Sequence, residues 1–367
     1  MLAGCGLVRL LFVVQPDEKD RSVNISDWRA MRRKQITAEG SETLSKPRLT
    51  KFPSLESPLQ FTTKIVVTAR TALAFLLTFS WMLSAQPASG KTLADQFASC
   101  GYEQIELRRT GENHLFLFGQ VNGRRRSCLV DTGWSYTTVA TNVTRGMVDP
   151  SRLAILKLGR VTFTNQAVLA QGVVFNGQPA SFDVVLGVDF LRRNFAMIDC
   201  GNRRLYTRRT APTGAERELF EGALRRAGFH AVELKLNAPP ALTAVALVNR
   251  EPVELLVDSG AVWSCLDGRQ RERLRLKPAP SGARITGAGA TGTRGVAVAE
   301  VQSFQLGEVA MKVTTLAVFD LSDWGFAAPG RALAKVQGIL GGDSLAANEA
   351  VIDCHALRLW LRSAVRR

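Results

Sequence analysis

An internal repeat constrains the fold of this chain more than any other feature of its 367 residues. Residues 100–133 align with residues 227–260 without a gap, so that each residue matches the one 127 positions later. The match ends in Leu129-Val130-Asp131-Thr132-Gly133 in one stretch and Leu256-Val257-Asp258-Ser259-Gly260 in the other. A repeat of this length indicates two similar structural units rather than one unit with scattered likenesses.

The repeat resumes further along the chain. Residues 186–189 (Leu-Gly-Val-Asp) match 340–343 (Leu-Gly-Gly-Asp), and Ile198-Asp199-Cys200 matches Ile352-Asp353-Cys354, both 154 positions later. The second stretch therefore carries an insertion after its Asp-Ser-Gly. We define the first half as residues 97–208 and the second half as residues 224–363, with residues 209–223 as a linker.

Short strands with turns between them dominate both halves. Residues 115–118 and 242–248 have the composition of strands, and turn-forming pairs follow them at Asn122-Gly123 and Asn249-Arg250. Helices are expected over 215–226 and after each Leu-Gly-x-Asp, at 189–194 and 343–347, where the aspartate is a good N-cap. The pattern predicts an all-β protein with two small lobes.

Composition excludes several classes of site. A hydrophobic content of 46% with 22% charged residues excludes a disordered chain. The three histidines (His114, His230, His355) are far apart and the six cysteines form no C-x-x-C pair, so we expect no metal, no cofactor and no histidine-dependent triad. The net charge of +15 would suit a basic protein that acts on anionic surfaces, an alternative that we rank last. The sequence has no basic stripe interleaved with aromatic residues, so we expect no nucleic-acid partner.

The N-terminal region has the layout of an export signal. Lys64 and Arg70 flank an apolar run over residues 71–85, and small and polar residues follow at 86–90. Residues 65–90 are therefore predicted to be a signal peptide or a membrane anchor, and residues 1–64 a poorly structured extension that is cytoplasmic or precedes the true translation start. Either reading predicts an exported protein, periplasmic or secreted, with residues 65–85 as its only membrane contact.

The two acidic triplets carry the chemistry. Duplicated units related by a pseudo-two-fold axis bring equivalent residues together, which would place Asp131 opposite Asp258. Two adjacent carboxyl groups share one proton, so that one activates a water and the other protonates a substrate carbonyl. The residues beside them have supporting roles: hydroxyls that hydrogen bond across the axis (Thr132, Ser259) and glycines that allow close backbone approach (Gly133, Gly260).

These residues resemble the active-site triplets of aspartic proteases. Val185-Leu186-Gly187 and Ile339-Leu340-Gly341 are similar to the second signature of each lobe in that family, and Asp189-Phe190-Leu191 resembles its retropepsin-like members. The resemblance covers roughly residues 97–363 and implies a bilobal acid-protease fold of two small β-barrel lobes in one chain, as in pepsin-like enzymes. It implies an endopeptidase that binds an extended peptide or protein substrate between its lobes as a monomer.

The resemblance also assigns substrate-binding residues. The glycine-rich stretch 284–293, including Thr286, Gly287, Ala288 and Gly289, resembles a retropepsin flap; the alternative is an ordinary surface hairpin. Trp134 stands where family members carry a small residue, whereas the second triplet has the usual Ala261. The tryptophan either fills a specificity pocket or obstructs the cleft.

Two further alternatives stay open. A single Asp-Thr-Gly triplet is a common turn. A protease fold without catalytic activity would act as a peptide-binding or inhibitor-like protein. Five cysteines follow the predicted signal, and the repeat-equivalent Cys200 and Cys354 are candidates for a disulfide; the alternative is five buried thiols.

Overall fold

The structure of the chain is a computed structural model. It describes residues 13–16, 92–170, 174–175, 178–179, 182–286, 294–324 and 333–363. The chain divides into two compact units, one formed by residues 1–24 with 93–367 and the other by residues 25–92. Except for Thr92, every described residue belongs to the first unit, so the architecture below is that of this unit alone.

The first half contributes an eight-stranded sheet. Its strands, numbered in chain order, are β3 (Arg108–Arg109), β4 (Leu115–Val121), β5 (Arg124–Val130), β6 (Thr138–Val139), β7 (Arg152–Leu158), β8 (Val161–Ala167), β9 (Leu169–Ala170) and β12 (Val184–Leu186). They run in the order β9-β6-β12-β5-β4-β7-β8, with β3 beside β4. A separate hairpin consists of β10 (Val174–Phe175) and β11 (Gln178–Pro179).

The second half contributes most of an eleven-stranded sheet. Its strands are β1 (Val13–Pro16), β16 (Lys235–Asn237), β17 (Ala241–Val248), β18 (Glu251–Val257), β19 (Cys265–Asp267), β20 (Ala279–Thr286), β21 (Arg294–Glu300), β22 (Phe304–Leu306), β23 (Val309–Ala310), β24 (Thr315–Phe319) and β25 (Gly338–Leu340). They run in the order β1-β20-β21-β24-β19-β25-β18-β17-β22-β23, with β16 beside β17.

The two sheets share one strand order over seven positions. From β24 to β23 the second sheet follows the same sequence of parallel and antiparallel neighbours as the first sheet from β9 to β8. The β4–β5 and β17–β18 hairpins turn through two residues with positive φ, Asn122-Gly123 and Asn249-Arg250, which suits the twist of the paired strands. Strands β20 and β21 extend the second sheet beyond the shared order.

A third sheet joins the halves. Its six strands are β2 (Glu103–Glu106), β13 (Met197–Asp199), β14 (Arg204–Thr207), β15 (Phe229–Glu233), β26 (Val351–Asp353) and β27 (Arg358–Arg362). Each half supplies three of them, and the halves meet where β13 pairs antiparallel with β26. At that junction Ile198 lies opposite Ile352, the residue that matches it in the sequence repeat.

The helices are few and short. They are α1 (Leu93–Ser99), α2 (Thr141–Thr144), α3 (Val188–Arg193), α4 (Gly214–Arg226) and α5 (Gly342–Ala347), with 3-10 turns at Gly268–Gln270 and Leu321–Trp324. Helices α1 and α4 pack on the joining sheet through Phe97 and Phe220. The all-β prediction is confirmed, and so is a helix after each Leu-Gly.

Both of those helices begin earlier than predicted. Gly187 and Gly341 occupy the N-cap positions, and Asp189 and Asp343 lie within the first turn. Each aspartate accepts the N–H of the next residue, but its carboxylate is also engaged by a hydroxyl residue of another loop. The N-cap role that the sequence assigned to these aspartates is therefore wrong, because tertiary partners claim the side chains.

The disulfide between Cys200 and Cys354 is wrong as well. All five described cysteines are free and buried. In the register of β13 and β26, Cys200 donates its N–H to Ala350, whereas Cys354 donates its N–H to Ala196. The two cysteines are thus offset by four residues along the sheet, or ~13 Å at ~3.3 Å per residue, whereas a disulfide needs Cα atoms within ~7 Å.

Strand β1 is the part of residues 1–64 that the structure describes, and it pairs antiparallel with β20. The predicted signal or anchor at residues 65–90 lies outside the described residues. Within the described ranges, no helix combines the length and apolar character that crossing a membrane would take.

Candidate active site

The two aspartates of the triplets follow directly on matching strands. Asp131 comes after β5 and Asp258 after β18, and both residues are fully buried. Each backbone N–H is fixed by the neighbouring parallel strand: Asp131 donates to the carbonyl of Leu186 at 3.1 Å, and Asp258 to that of Leu340 at 3.0 Å. Pairing with a parallel strand thus fixes the backbone position of each aspartate at the end of its own strand.

A reciprocal set of hydrogen bonds joins the triplets. The N–H of Thr132 donates to Ser259 Oγ at 3.1 Å, and the N–H of Ser259 donates to Thr132 Oγ1 at 3.0 Å. Each hydroxyl then donates to a carbonyl of the other half, Thr132 to Val257 at 2.7 Å and Ser259 to Val130 at 2.9 Å. Because all four residues are buried, these bonds lock the two loops together with little competition from water.

The two carboxyl groups lie close together, each against the backbone of the opposite triplet. Asp131 Oδ1 accepts the N–H of Gly133 at 2.8 Å, and Asp258 Oδ1 accepts those of Gly260 and Ala261, both at 2.9 Å. A Cβ on Gly133 would overlap the carboxyl of Asp258, and one on Gly260 would overlap that of Asp131. Glycine is required at both positions because each backbone passes directly against the opposite acid.

The remaining carboxyl oxygens need a proton between them. Asp131 Oδ2 and Asp258 Oδ2 are both buried, and neither meets an N–H or O–H donor of the described residues. Two ionised carboxylates in this position would repel each other in a poorly solvated site. A single proton held by the pair removes this repulsion and supplies the donor.

Burial raises the pKa of both acids. It raises the pKa of Asp131 well above its usual range, and the negative charge of Asp258 raises it further. Burial raises the pKa of Asp258 to about 6, against the stabilising effect of its hydrogen bonds with Asp131 and with the N–H groups of Gly260 and Ala261. The pKa values of both acids are thus raised above the usual range of aspartate, and because the two carboxyls are close together they titrate as a pair.

Hydrogen bonds to Asp189 and Thr137 fix the loop of Asp131. Asp189 Oδ1 accepts both the N–H and the hydroxyl of Thr137 at 2.7 Å. Thr137 Oγ1 in turn accepts the N–H of Gly187 at 3.2 Å, and the N–H of Val188 donates to the carbonyl of Trp134. The start of α3 and the loop after Asp131 are thereby tied to each other.

The loop of Asp258 has the same arrangement. Asp343 Oδ1 accepts the N–H and the hydroxyl of Ser264, each at 2.8 Å. Ser264 Oγ accepts the N–H of Gly341 at 2.9 Å, and the N–H of Gly342 donates to the carbonyl of Ala261. Sequence reasoning missed these four side chains as a group. The signal was available, because Thr137 matches Ser264 and Asp189 matches Asp343 at the repeat offsets.

The predicted substrate-binding residues differ in their placement. Trp134 is 1% exposed and donates its ring N–H to Thr138 Oγ1 at 2.7 Å, while Ala261 is fully buried beside Asp258. Thr286 is the last residue of β20 and pairs with Val13. Gly287, Ala288 and Gly289 lie outside the described residues, so their assignment to a flap stays a prediction.

No group of three or more histidine, cysteine, aspartate or glutamate side chains in the described ranges is arranged to hold a metal ion. Among the described residues, the groups that donate hydrogen bonds to the two acids are backbone N–H groups. This set suits two carboxyls that share a proton.

Comparison with known families adds one match. Residues 244–344 match the model of the aspartyl protease family. The matched segment contains Asp258 and the Leu340-Gly341 element, and it lies entirely in the second half. A comparison with curated proteins finds no match. The second half thus contains a segment similar to aspartyl proteases, whereas the resemblance of the first half rests on its own residues.

Proposed function

We propose that this protein is an aspartic endopeptidase whose catalytic residues are Asp131 and Asp258, the first from one half and the second from the other. The observation that carries the proposal is the approach of the two buried carboxyls, each lying against the glycine of the opposite triplet. The shared strand order of the two sheets and the pairing of Ile198 with Ile352 support descent of both halves from one repeated unit.

The proposed reaction uses a water molecule held between the acids. The ionised carboxyl takes a proton from this water while the water oxygen attacks the carbon of the peptide carbonyl. The protonated carboxyl donates its proton to the oxygen of the same carbonyl. Collapse of the resulting diol breaks the C–N bond, with a proton passing to the leaving amine. One carboxyl of the pair thus acts as the proton donor and the other as the base.

The test is to remove one carboxyl at a time. Asp131→Asn and Asp258→Asn keep size and shape, and each should lower peptide turnover by at least ~1,000-fold, because neither half of the acid–base pair works alone. Asp149→Asn is the matched control, since Asp149 is exposed in a turn outside the site. Wild-type turnover in either active-site variant would exclude the mechanism. Tight peptide binding without cleavage at any pH would instead favour the inactive binding protein.

We also propose export of the protein and action on peptides or proteins as a monomer, with residues 65–85 as the only membrane contact. The apolar run and its basic flank support this. A reporter fused after residue 90 should be active outside the cytoplasm, and N-terminal sequencing of the mature protein would distinguish a cleaved signal from a retained anchor. A reporter confined to the cytoplasm would contradict the proposal.

A further inference from the structure

One face of the first-half sheet carries exposed cations around an aromatic ring. Strand β4 alternates between residues of the core and residues of this face, which leaves Phe118 41% exposed. Residues that lie opposite each other in antiparallel strands share a face, so the registers of β4 with β3, β5 and β7 identify the neighbours of Phe118. We define the basic face by its exposed residues Arg108, Phe118, Gln120, Arg125, Ile155 and Lys157.

The positive charges of this face are held close together. The guanidinium carbon of Arg125 lies 4.0 Å from the centroid of the Phe118 ring, and that of Arg108 lies 5.5 Å from it. Lys157 and Arg125 both lie opposite Gln120, one on each side of β4. None of these three cations forms an ion pair with any residue that the structure describes.

One carboxylate is bonded to the strand beneath the basic face, and it already has a cation. Ser127, which lies opposite Phe118, donates its hydroxyl to Asp183 Oδ2 at 3.0 Å. Asp183 Oδ1 is paired with the guanidinium of Arg126 at 3.5 Å. This acid therefore leaves the charges of Arg108, Arg125 and Lys157 uncompensated.

The corresponding face of the second half differs in charge. At the repeat-equivalent positions it retains one cation, Lys235, and it places an acid, Glu254, opposite Val245. The other two cations are replaced by uncharged residues, Pro252 and Gln305. The group of cations is thus a feature of one half and does not follow from an arginine-rich composition of the whole chain.

The basic face is continuous with the surroundings of Asp131. Leu129 precedes Asp131 by two residues and lies opposite Phe116, whose ring meets that of Phe118 edge-on with centroids 5.7 Å apart. Phe118 itself lies opposite Ser127, four residues before Asp131, which corresponds to ~13 Å of strand at ~3.3 Å per residue. An extended peptide segment of about four to six residues therefore spans the distance from the acids to the basic face.

We infer that the basic face is an exosite, a binding surface outside the catalytic centre, for an acidic segment of the protein substrate. Glutamate or aspartate residues about four to six positions from the cut bond complement the three unpaired cations. Apolar residues among them pack on Phe118 and Ile155. The continuity with Asp131 favours a peptide over other anionic partners. The inference rests on the proposed function, since it takes the occupant to be a substrate.

Peptide binding to the Asp258→Asn variant tests the exosite without cleavage. The probes are synthetic peptides with one common apolar centre and an extension of glutamate or of glutamine residues, placed at either end. At low ionic strength, the glutamate extension should bind ~5- to 20-fold tighter than the glutamine extension at one end only, because only one half carries the cations. High salt should remove most of this advantage.

A pair of exposed substitutions reports on the cause. Arg108→Gln combined with Arg125→Gln should reduce the advantage of the glutamate extension to less than ~2-fold. Arg145→Gln combined with Lys235→Gln is the matched control, because it removes two exposed cations outside the basic face and lowers the net charge equally. Lys235 is also the repeat-equivalent of Arg108. The control should keep the full advantage.

The outcomes separate this inference from the proposed function. Equal binding of glutamate and glutamine extensions at both ends overturns the exosite, and so does an advantage that survives loss of Arg108 and Arg125 or disappears in the control. An exosite that prefers single-stranded oligonucleotides or vesicles of anionic lipid to the glutamate peptides overturns the acidic-segment assignment. Glutamate-dependent binding without any cleavage by wild-type protein supports the basic face as an acidic-peptide site and contradicts the endopeptidase.

Discussion

The surroundings of Asp131 and Asp258 are alike in their hydrogen bonds and unlike in their packing. Both acids accept N–H groups from their own triplet, both loops are held by an aspartate–hydroxyl pair, and the triplets exchange hydroxyl contacts. Beside them stand a tryptophan in one half and an alanine in the other. The comparison indicates that the polar contacts that position the two acids are shared by both halves, whereas the apolar side chains beside the acids are not.

Among the changes that test this comparison, the largest effect should come from adding a methyl group beside the acids. Gly133→Ala and Gly260→Ala each place a Cβ against the opposite carboxyl. Because this displaces the reacting groups, each variant should lower peptide turnover by more than ~100-fold. If the two sides are equivalent, the two losses should be similar.

Gly111→Ala is the matched control, because no atom lies near the position of its Cβ. It should leave turnover unchanged. A Gly133→Ala variant with normal turnover would show that the backbone of the first half does not approach Asp258 as described.

A smaller effect is expected at the aspartates that hold the loops. Asp189→Ala and Asp343→Ala leave N–H and hydroxyl groups of Thr137 and Ser264 without their acceptor, which costs about 1–3 kcal/mol in unfolding free energy. Asp343→Ala should cost more, because Asp343 is buried whereas Asp189 is only partly buried.

Urea denaturation and steady-state kinetics check this prediction. We expect kcat to fall with little change in KM, and the conservative Asn variants to recover part of the loss because Oδ1 remains as an acceptor. Unchanged kcat in both Ala variants would mean that these aspartates only stabilise the fold.

The last effect concerns the dependence of stability on pH. Burial raises the pKa of Asp258 above its value in the unfolded chain, so ionisation opposes folding as pH rises from ~4 through about 6. Asp258→Asn removes this cost and should stabilise the protein by about 1–3 kcal/mol at pH 8, with no gain at pH 4.

Thermal unfolding at the two pH values measures this difference, with Asp149→Asn as the exposed control. A gain of equal size at pH 4 and pH 8 would contradict the role assigned to burial.

The sequence predicted the parts of this site that local rules determine. The positive-φ turns at Asn122 and Asn249 and the need for Gly133 and Gly260 follow from residue type and position in the repeat. The burial of Trp134 does not, because residue size alone does not say whether a ring turns into the core or toward a ligand.

Register and distant partners account for the errors. The likeness of Cys200 and Cys354 suggested a bridge, but antiparallel pairing of equivalent strands separates residues that lie away from the axis. Asp189 resembled an N-cap because its partner Thr137 is 52 residues away in the chain. Contacts of this kind are determined by the fold and are not encoded in neighbouring residues.

The most direct test of the shared proton is a carboxyl titration by NMR with aspartate labelled at its carboxyl carbon. The account predicts that Asp131 and Asp258 titrate as a pair, with one apparent pKa well above the usual range for aspartate. That upper pKa should fall when either residue is changed to asparagine. Two independent titrations near pH 4, unaffected by the loss of the other acid, would contradict the account.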